Sequence, residues 1–341
     1  MALQASGQIK YSEIIAEFGT PNNGGLGEFR LSESVGSLSD LPLDTGVPQG
    51  NSQIKFSDFY SKRLNQVVDL YSIGNGSTRQ NAKNRWNNGN VHIVGSSKTG
   101  KTKPPNTNDD RVIINVNSTI SSVKGTQTHC ALRTGNWDSG TILEIEIGTS
   151  GKLYGSGGDG GSGGSANETA GTNGQTGSSA LGIQYPCTVN NLGVIQSGYG
   201  GGGGGGGNTR TTGGGKKSGA TTNGSSGGGG GGGAGLPAGA AGGVQTPLAI
   251  GGGSAGSAGQ AGSLSGQATG GGGGTEAGDG GNSSPVNNSA TKADNGTQPS
   301  GAAGGGIGGN NGYAIITNQG SAPSVTGNSA TGRIITSTNP T

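Results

Sequence analysis

Between residues 155 and 312 the chain carries 60 of its 81 glycines, and their spacing constrains the fold more than any other feature. Over 155–165 the order is Gly-Ser-Gly-Gly-Asp-Gly-Gly-Ser-Gly-Gly-Ser, so every third residue is the non-glycine. Gly253, Gly256, Gly259 and Gly262 recur at the same interval. A flexible linker needs no period. A left-handed extended helix with three residues per turn does, because each third position returns to the same face, where only hydrogen lets a neighbouring chain approach closely. Collagen uses this helix too, but with an unbroken, proline-rich repeat. Here the runs are short, such as 200–207 and 227–233, and nearly free of proline.

Several short segments side by side therefore fit better than one long triple helix. Eight residues at about 3.1 Å each span about 25 Å, a sensible domain dimension. Such a helix has no internal hydrogen bonds, so its N–H and C=O groups must bond to adjacent segments, helped by weak Cα–H···O contacts. The opposing consideration is entropy, since glycine loses more backbone freedom on folding than any other residue. Only 27% of the chain is hydrophobic and 4% aromatic, a composition that by itself favours disorder. A seam of Leu181, Ile183, Val189, Leu192, Val194 and Ile195, with Ile307 and the strand 313–316, is expected to help hold the bundle.

The net charge is +2 and no basic block occurs, so no nucleic-acid footprint is expected. No window approaches 18 apolar residues, which excludes membrane insertion by a helix. Residues 1–10 lack the apolar run of a secretory signal. Synthesis in a cytoplasm is expected, with exit by lysis or as part of a particle. Cys130 and Cys187 allow one bridge or two buried thiols, but no disulfide framework.

Three copies of one motif open the chain: Ile9-Lys10-Tyr11-Ser12-Glu13, Phe29-Arg30-Leu31-Ser32-Glu33 and Ile54-Lys55-Phe56-Ser57-Asp58. Each reads apolar, basic, apolar, serine, acidic. The serine is expected to cap a short helix, with the carboxylate near its positive end. Residues 1–65 are too broken for an independent core, so they are expected to dock on another protein through Ile9, Tyr11, Phe29, Leu31, Ile54 and Phe56. The competing reading is that they fold back on the next domain. Residues 66–154 carry strand patterns at 90–94, 111–116 and 141–147, with alternation from Leu143 onward, and predict a small β-domain, a sandwich or sheet. The fold class is thus mostly β and irregular: N-terminal docking motifs, a small β-domain, and a polyglycine II helix bundle with loops over 155–312. Strands in 313–341 are expected to pack back on the bundle.

If glycine segments run up and down, loops alternate between the two ends. Counting outward from Gly155 groups 165–182, 234–250 and 282–300 at one end, and 208–226 and 263–269 at the other. The first set is taken as the contact surface, with Asn167, Glu168, Leu236, Pro237, Gln245, Pro247, Leu248, Pro285, Val286 and Asn287. Amides hydrogen-bond a ligand, while Pro and Leu give rigid apolar contact at little ordering cost. The plain alternative is that these are turns without a ligand.

Catalytic and cofactor chemistry finds little footing. Gly213-Gly214-Gly215-Lys216-Lys217-Ser218 lacks the spacing and preceding strand of a phosphate loop. His92, His129, Cys130 and Cys187 lack metal-ligand spacing. Glu144 and Glu146 share a strand face and could serve glycoside hydrolysis, but such a pair is more often a solvated face. Arg210, Lys216 and Lys217 could meet an anionic polysaccharide, though ordinary loop charges are commoner. No enzyme, cofactor or metal is expected.

Several stretches resemble the glycine-rich tail-fibre and tail-tip proteins of tailed bacteriophages. They are the N-terminal motifs, then Ala131-Leu132-Arg133-Thr134-Gly135 and Trp137-Asp138-Ser139-Gly140-Thr141, and Leu153-Tyr154-Gly155 leading into the glycine repeat. Val189-Asn190-Asn191-Leu192-Gly193-Val194-Ile195, leading to Gly198-Tyr199 and the glycine run, is also similar. The resemblance implies a short adhesin that caps a long tail fibre of T-even type. In such proteins glycine motifs pack as a lattice of three-residue helices and the loops between them contact the receptor. It implies attachment to other tail proteins through the N-terminal segment, a place in the virion tail, and a host outer-surface protein or polysaccharide as receptor. The alternative is a structural tail-tip or tail-fibre component without receptor contact. This chain departs from those adhesins in length and in its aromatic-poor loops.

Overall fold

The computed structural model describes residues 2–71, 73–74, 77–165, 169–212, 221–243, 260, 304–318, 322–336 and 338–341, and of 208–212 and 221–224 the backbone alone. The protein is mostly β, with little helix. Its centre is not a sandwich. The chain winds as a coil over three sheets, parallel except for the antiparallel edge strand Val91–Ile93 of the first, visiting each in turn. Asn65–Asp69, Ser77–Thr78 and Gln80–Asn81 make the first coil, and Arg111–Val116, Thr119–Ser121 and Cys130–Arg133 the second. Ile142–Ile147, Lys152–Tyr154 and Ser179–Ile183 make the third, and Cys187–Asn191, Val194–Gln196 and Tyr313–Thr317 the fourth. Ser324–Gly327 and Arg333–Ile335 belong to the fifth, with Thr331 bridging to Gln196 on the face between them.

Apolar ladders explain this winding. Strand Ile142–Ile147 turns Leu143, Ile145 and Ile147 inward and Ile142, Glu144 and Glu146 outward. Parallel registry stacks Val68, Ile114, Ile145, Val189 and Val325 on the first face. Ile120, Leu153 and Ile195 stack on the second, and Leu132, Leu181 and Ile315 on the third. The ladders meet in one core that also holds Trp86 and Trp137. The strands after the glycine-rich region, expected to pack back on the bundle, complete the fourth and fifth coils instead, because Ile315 falls in register with Leu181. Most of the expected bundle seam is likewise coil core: Leu181, Ile183, Val189, Ile195, Ala314 and Ile315. Leu192 and Ile307 are exposed. Both cysteines are free, Cys130 buried and Cys187 half-buried.

The N-terminal segment builds a core of its own against the start of the first coil. Phe18, Phe29 and Phe59 form a triangle with centroid distances of 6.0, 6.0 and 5.5 Å, joined by Ile14, Leu43, Leu64 and Ile93. Leu64 N donates to Glu17 at 2.8 Å and Arg63 N to Asp44 at 2.6 Å, fixing the residues just before strand Asn65–Asp69 against the rest of the segment. The motif capping differs from the expectation. Helix Tyr11–Phe18 begins after Lys10, whose N–H donates to Glu13 at 2.6 Å, and the turn Phe56–Phe59 begins after Lys55, whose N–H donates to Asp58 at 2.7 Å. The acidic residue thus reaches back to the cap, and the serine lies inside the turn. The second copy goes elsewhere: Ser32–Val35 is a strand, and Glu33 accepts from Gly95 N at 2.6 Å beside His92.

Among the described residues, six extended glycine-rich segments lie at one corner of the coil, between its second and third faces, and Gln260 O accepts from Gly232 N of the fourth at 2.8 Å. The first, 155–165, continues strand Lys152–Tyr154, and the second, 169–178, returns into Ser179–Ile183. The third, 198–207, follows Val194–Gln196, and the sixth, 304–312, leads into Tyr313–Thr317. The fourth, 225–233, and fifth, 237–243, lie between them in sequence. Backbone bonds between segments recur every three residues. Gly158, Gly161 and Gly164 donate to Tyr199, Gly202 and Gly205 of the third segment, while Gly157, Gly160 and Gly163 donate to Pro237, Ala240 and Gly243 of the fifth. Gly227, Gly230 and Gly233 donate back to Gly164, Gly161 and Gly158. The first, third and fifth segments thus run one way and the second, fourth and sixth the other.

Candidate functional site

What the bundle displays follows from which positions must be glycine. A Cβ on Gly158 would lie 2.0 Å from Gln175 O, and one on Gly157 would lie 2.0 Å from Gly233 O. Two of every three residues of the first segment therefore face neighbouring backbone. The third position carries Ser156, Asp159, Ser162 and Ser165, and these meet a complementary row on the second segment. Ser156 N donates to Ser178 Oγ at 2.8 Å, Ser162 N to Thr172 Oγ1 at 2.7 Å, and Ser165 N to Thr169 Oγ1 at 2.5 Å. Those hydroxyls meet N–H groups that the glycine neighbours do not reach. Asp159 Oδ1 accepts from Lys124 Nζ at 2.5 Å and from Ala240 N at 2.6 Å, joining coil and bundle.

The two ends of the bundle differ. At the coil end, the turn between the fourth and fifth segments rests on the start of the first: Leu236 N donates to Gly155 O at 2.9 Å and Gly157 N to Pro237 O at 2.8 Å. At the far end lie Ser165, where the first segment ends, Thr169, where the second begins, and the paired strands Asn208–Thr212 and Thr221–Ser225. The fifth segment also leaves there at 243, and the sixth enters at 304.

This geometry corrects the expected grouping of loops. Leu236 and Pro237 sit at the coil end, opposite Ser165 and Thr169, and the strands Asn208–Thr212 and Thr221–Ser225 share an end with those two residues. The ends differ from the expectation because 169–178 is a segment of the bundle and not part of a loop. Its glycines, Gly171, Gly174 and Gly177, keep the three-residue spacing, but Thr, Asn and Gln fill the positions between them. The same row, Thr169, Thr172, Gln175 and Ser178, was a legible signal. Asn167, Glu168, Gln245, Pro247, Leu248, Pro285, Val286 and Asn287 lie outside the described residues, as do Lys216, Lys217 and the 253–262 repeat apart from Gln260.

Of the residues expected to contact another tail protein, Ile9 and Phe29 are buried within the chain, and Tyr11, Leu31 and Ile54 are half-buried around the same core. Tyr11 OH donates to Gly24 O at 2.8 Å. Phe56 is 42% exposed. The carboxylate pair is also occupied. Glu144 takes two hydrogen bonds from Arg111, at 2.8 and 2.6 Å, and Glu146 accepts from Asn190 at 2.8 Å. Burial pushes the Glu146 carboxyl above its ordinary value, against the Asn190 hydrogen bond. Among the described residues no cluster of three or more His, Cys, Asp or Glu could hold a metal ion, and no helix is long and apolar enough to cross a membrane.

The family model of the phage tail fibre adhesin Gp38 matches residues 77–339, from the second strand of the first coil through the whole bundle to the C-terminal strands. The chain belongs to this family. It is a tail fibre adhesin, and the segment before residue 77 lies outside the matched part. A chain from the crystal structure of the gp37–gp38 adhesin tip complex of the bacteriophage S16 long tail fibre is similar at 16% identity, with 84% of this chain and 89% of that one covered and a TM-score of 0.35. No curated protein matches the chain.

Proposed function

We propose that this adhesin binds a receptor on the host bacterial surface through the far end of its glycine bundle. The observation that carries the reading is the shared end. The connection leaving at Ser165, the strand pair after 207 and the stretch leaving at 243 all depart from the side away from the coil. Loops on a rigid scaffold are the usual place for recognition. The repeat of bonds every three residues supports segments in the polyglycine II conformation, stiff enough to hold such loops in place. Asn167, Glu168, Gln245, Pro247, Leu248, Pro285, Val286 and Asn287 belong to these connections and remain the proposed contacts, whereas Leu236 and Pro237 do not.

The N-terminal segment attaches the adhesin to another protein of the tail. Phe56, in the third motif, is its proposed contact, since the other motif residues face the segment's own core. The role is binding without catalysis.

Competition with the phage tests the reading. Purified protein at saturation is expected to block adsorption to host cells, and replacing 166–168, 245–248 and 285–287 by glycine-serine spacers is expected to abolish that block without shifting the unfolding midpoint. Undiminished blocking by the spacer variant would refute the far end as the contact surface. Wild-type protein that never blocks would instead point to a structural tail component. Phe56→Ser is expected to weaken incorporation into particles while leaving the fold intact.

A further inference from the structure

Two arginines on the side of the coil each keep an enclosed Nε without an acceptor. Arg79 stands at the corner between Ser77–Thr78 and Gln80–Asn81, and Arg133 ends strand Cys130–Arg133. These strands pair in parallel with Asn81 opposite Arg133, which brings the two arginines to neighbouring coils of the third face. Both lie near enough to the Cys130 thiol to act on it, although burial, the larger effect, pushes that thiol up to about 12. The Nε of each arginine is enclosed and donates to nothing. None of the ion pairs among the described residues includes either one. The hydroxyl of Ser122 is enclosed and unpartnered as well, and the carbonyl of the preceding Ser121 accepts from Arg79 N at 3.0 Å. Arg79 holds φ at 46°, in the left-handed region, where a residue other than glycine is strained.

A guanidinium partly withdrawn from water normally finds an acceptor, and its planar fork matches an oxyanion. We propose that Arg79 and Arg133 form a phosphate-binding subsite whose occupant is the phosphate group of a phosphorylated surface sugar. Phosphate has three terminal oxygens, enough for two guanidinium forks and the Ser122 hydroxyl, whereas a carboxylate has two. The sugar part of the assignment rests on the receptor-binding reading above, while the anion site itself does not. The subsite lies beside the coil, not at the far end of the bundle, so it would engage the same glycan at a second point.

The test is an NMR titration of the full-length protein, following the arginine Nε–H signals at constant ionic strength. Glucose 6-phosphate is expected to shift the Arg79 and Arg133 signals, while glucose leaves them in place. Arg79→Gln and Arg133→Gln are each expected to weaken that binding about tenfold or more, because a charged hydrogen-bonding partner is lost. Arg133→Lys, which keeps the charge, should weaken it less. Arginine signals unmoved by glucose 6-phosphate and by inorganic phosphate would overturn the site, and this part needs no variant to fold. Equal affinity for inorganic phosphate and glucose 6-phosphate would overturn the sugar assignment. Cell adsorption is measured separately, so failure of the receptor reading leaves the titration's outcome intact.

Discussion

Placing a methyl group on Gly161 tests the packing of the bundle at its centre. A Cβ there would lie 2.0 Å from Thr172 O and 2.8 Å from Gly204 N. To reach an ordinary carbon–oxygen contact, the second segment must withdraw by more than 1 Å, given optimal non-bonded separations of about 3.5 Å. That movement breaks the bond from Gly204 N to Thr172 O, now 3.0 Å, and strains those from Gly161 N to Gly202 O and from Gly230 N to Gly161 O, at 2.8 and 2.7 Å. A lost hydrogen bond costs about 1 kcal/mol and each stranded buried group about 1–3 kcal/mol, so the substitution should destabilise the bundle by about 3–5 kcal/mol. The gain from a less flexible unfolded chain, about 0.4–1 kcal/mol, offsets little of this. Gly243→Ala is the control, because its Cβ would meet nothing nearer than Ser162 Oγ at 4.0 Å. There the entropic gain should stand alone. Amide exchange reads the difference locally: exchange at Gly202, Gly204 and Gly230 should accelerate by roughly 100-fold or more in Gly161→Ala, at about 1.4 kcal/mol per tenfold, and stay unchanged in Gly243→Ala. Equal behaviour of the two variants would refute the close backbone packing.

Three further outcomes follow from named contacts. Ser178→Ala removes the acceptor for the buried Ser156 N–H and should lower stability by about 1–2 kcal/mol, read as a lower midpoint in chemical denaturation. Ile145→Ala cuts the middle of the first-face ladder and should destabilise the coil by about 2–5 kcal/mol, with Val189 and Ile114 losing their shared neighbour. Asp138 gives a pH signature. Burial alone would raise its carboxyl, but hydrogen bonds from Lys83 and from the Thr107 hydroxyl and N–H outweigh that and hold it at about 2, below its ordinary 3.8. A depressed carboxyl stabilises the fold above its unfolded value, and that contribution is lost as pH falls from about 4 towards 2. Asp138→Asn should flatten the acid limb of a stability–pH curve in that window, and an unchanged limb would refute the assignment.

The strands most legible in the sequence were those with strong alternation. Residues 111–116 are strand as expected, and 141–147 differs only in its first residue, because inward and outward faces are set by the residues themselves. Their parallel coiling was not legible. Leu181 pairs with Ile315 across most of the glycine-rich region, and coils interrupted by 155–178 and 197–312 show no fixed period. The glycine spacing identified which positions pack against backbone, but not which end each loop occupies, since a segment carrying Thr and Gln in two of three positions reads as loop.

This division has a physical consequence for the bundle. A run such as 200–207 has no side chains, so nothing within it distinguishes one alignment with its neighbours from the next, and slippage by a turn of three residues would leave every bond pattern intact. The coil removes that freedom. Lys152–Tyr154 lies in parallel register with Val194–Gln196, and the bond from Gly155 N to Gln196 O continues the ladder directly into Gly158–Tyr199, Gly161–Gly202 and Gly164–Gly205. The opposing row is fixed by side chains, since Ser178, Thr172 and Thr169 meet Ser156, Ser162 and Ser165 only in one alignment. An apolar core thus sets the register of a lattice that could not set its own, and the far-end loops inherit their positions from it.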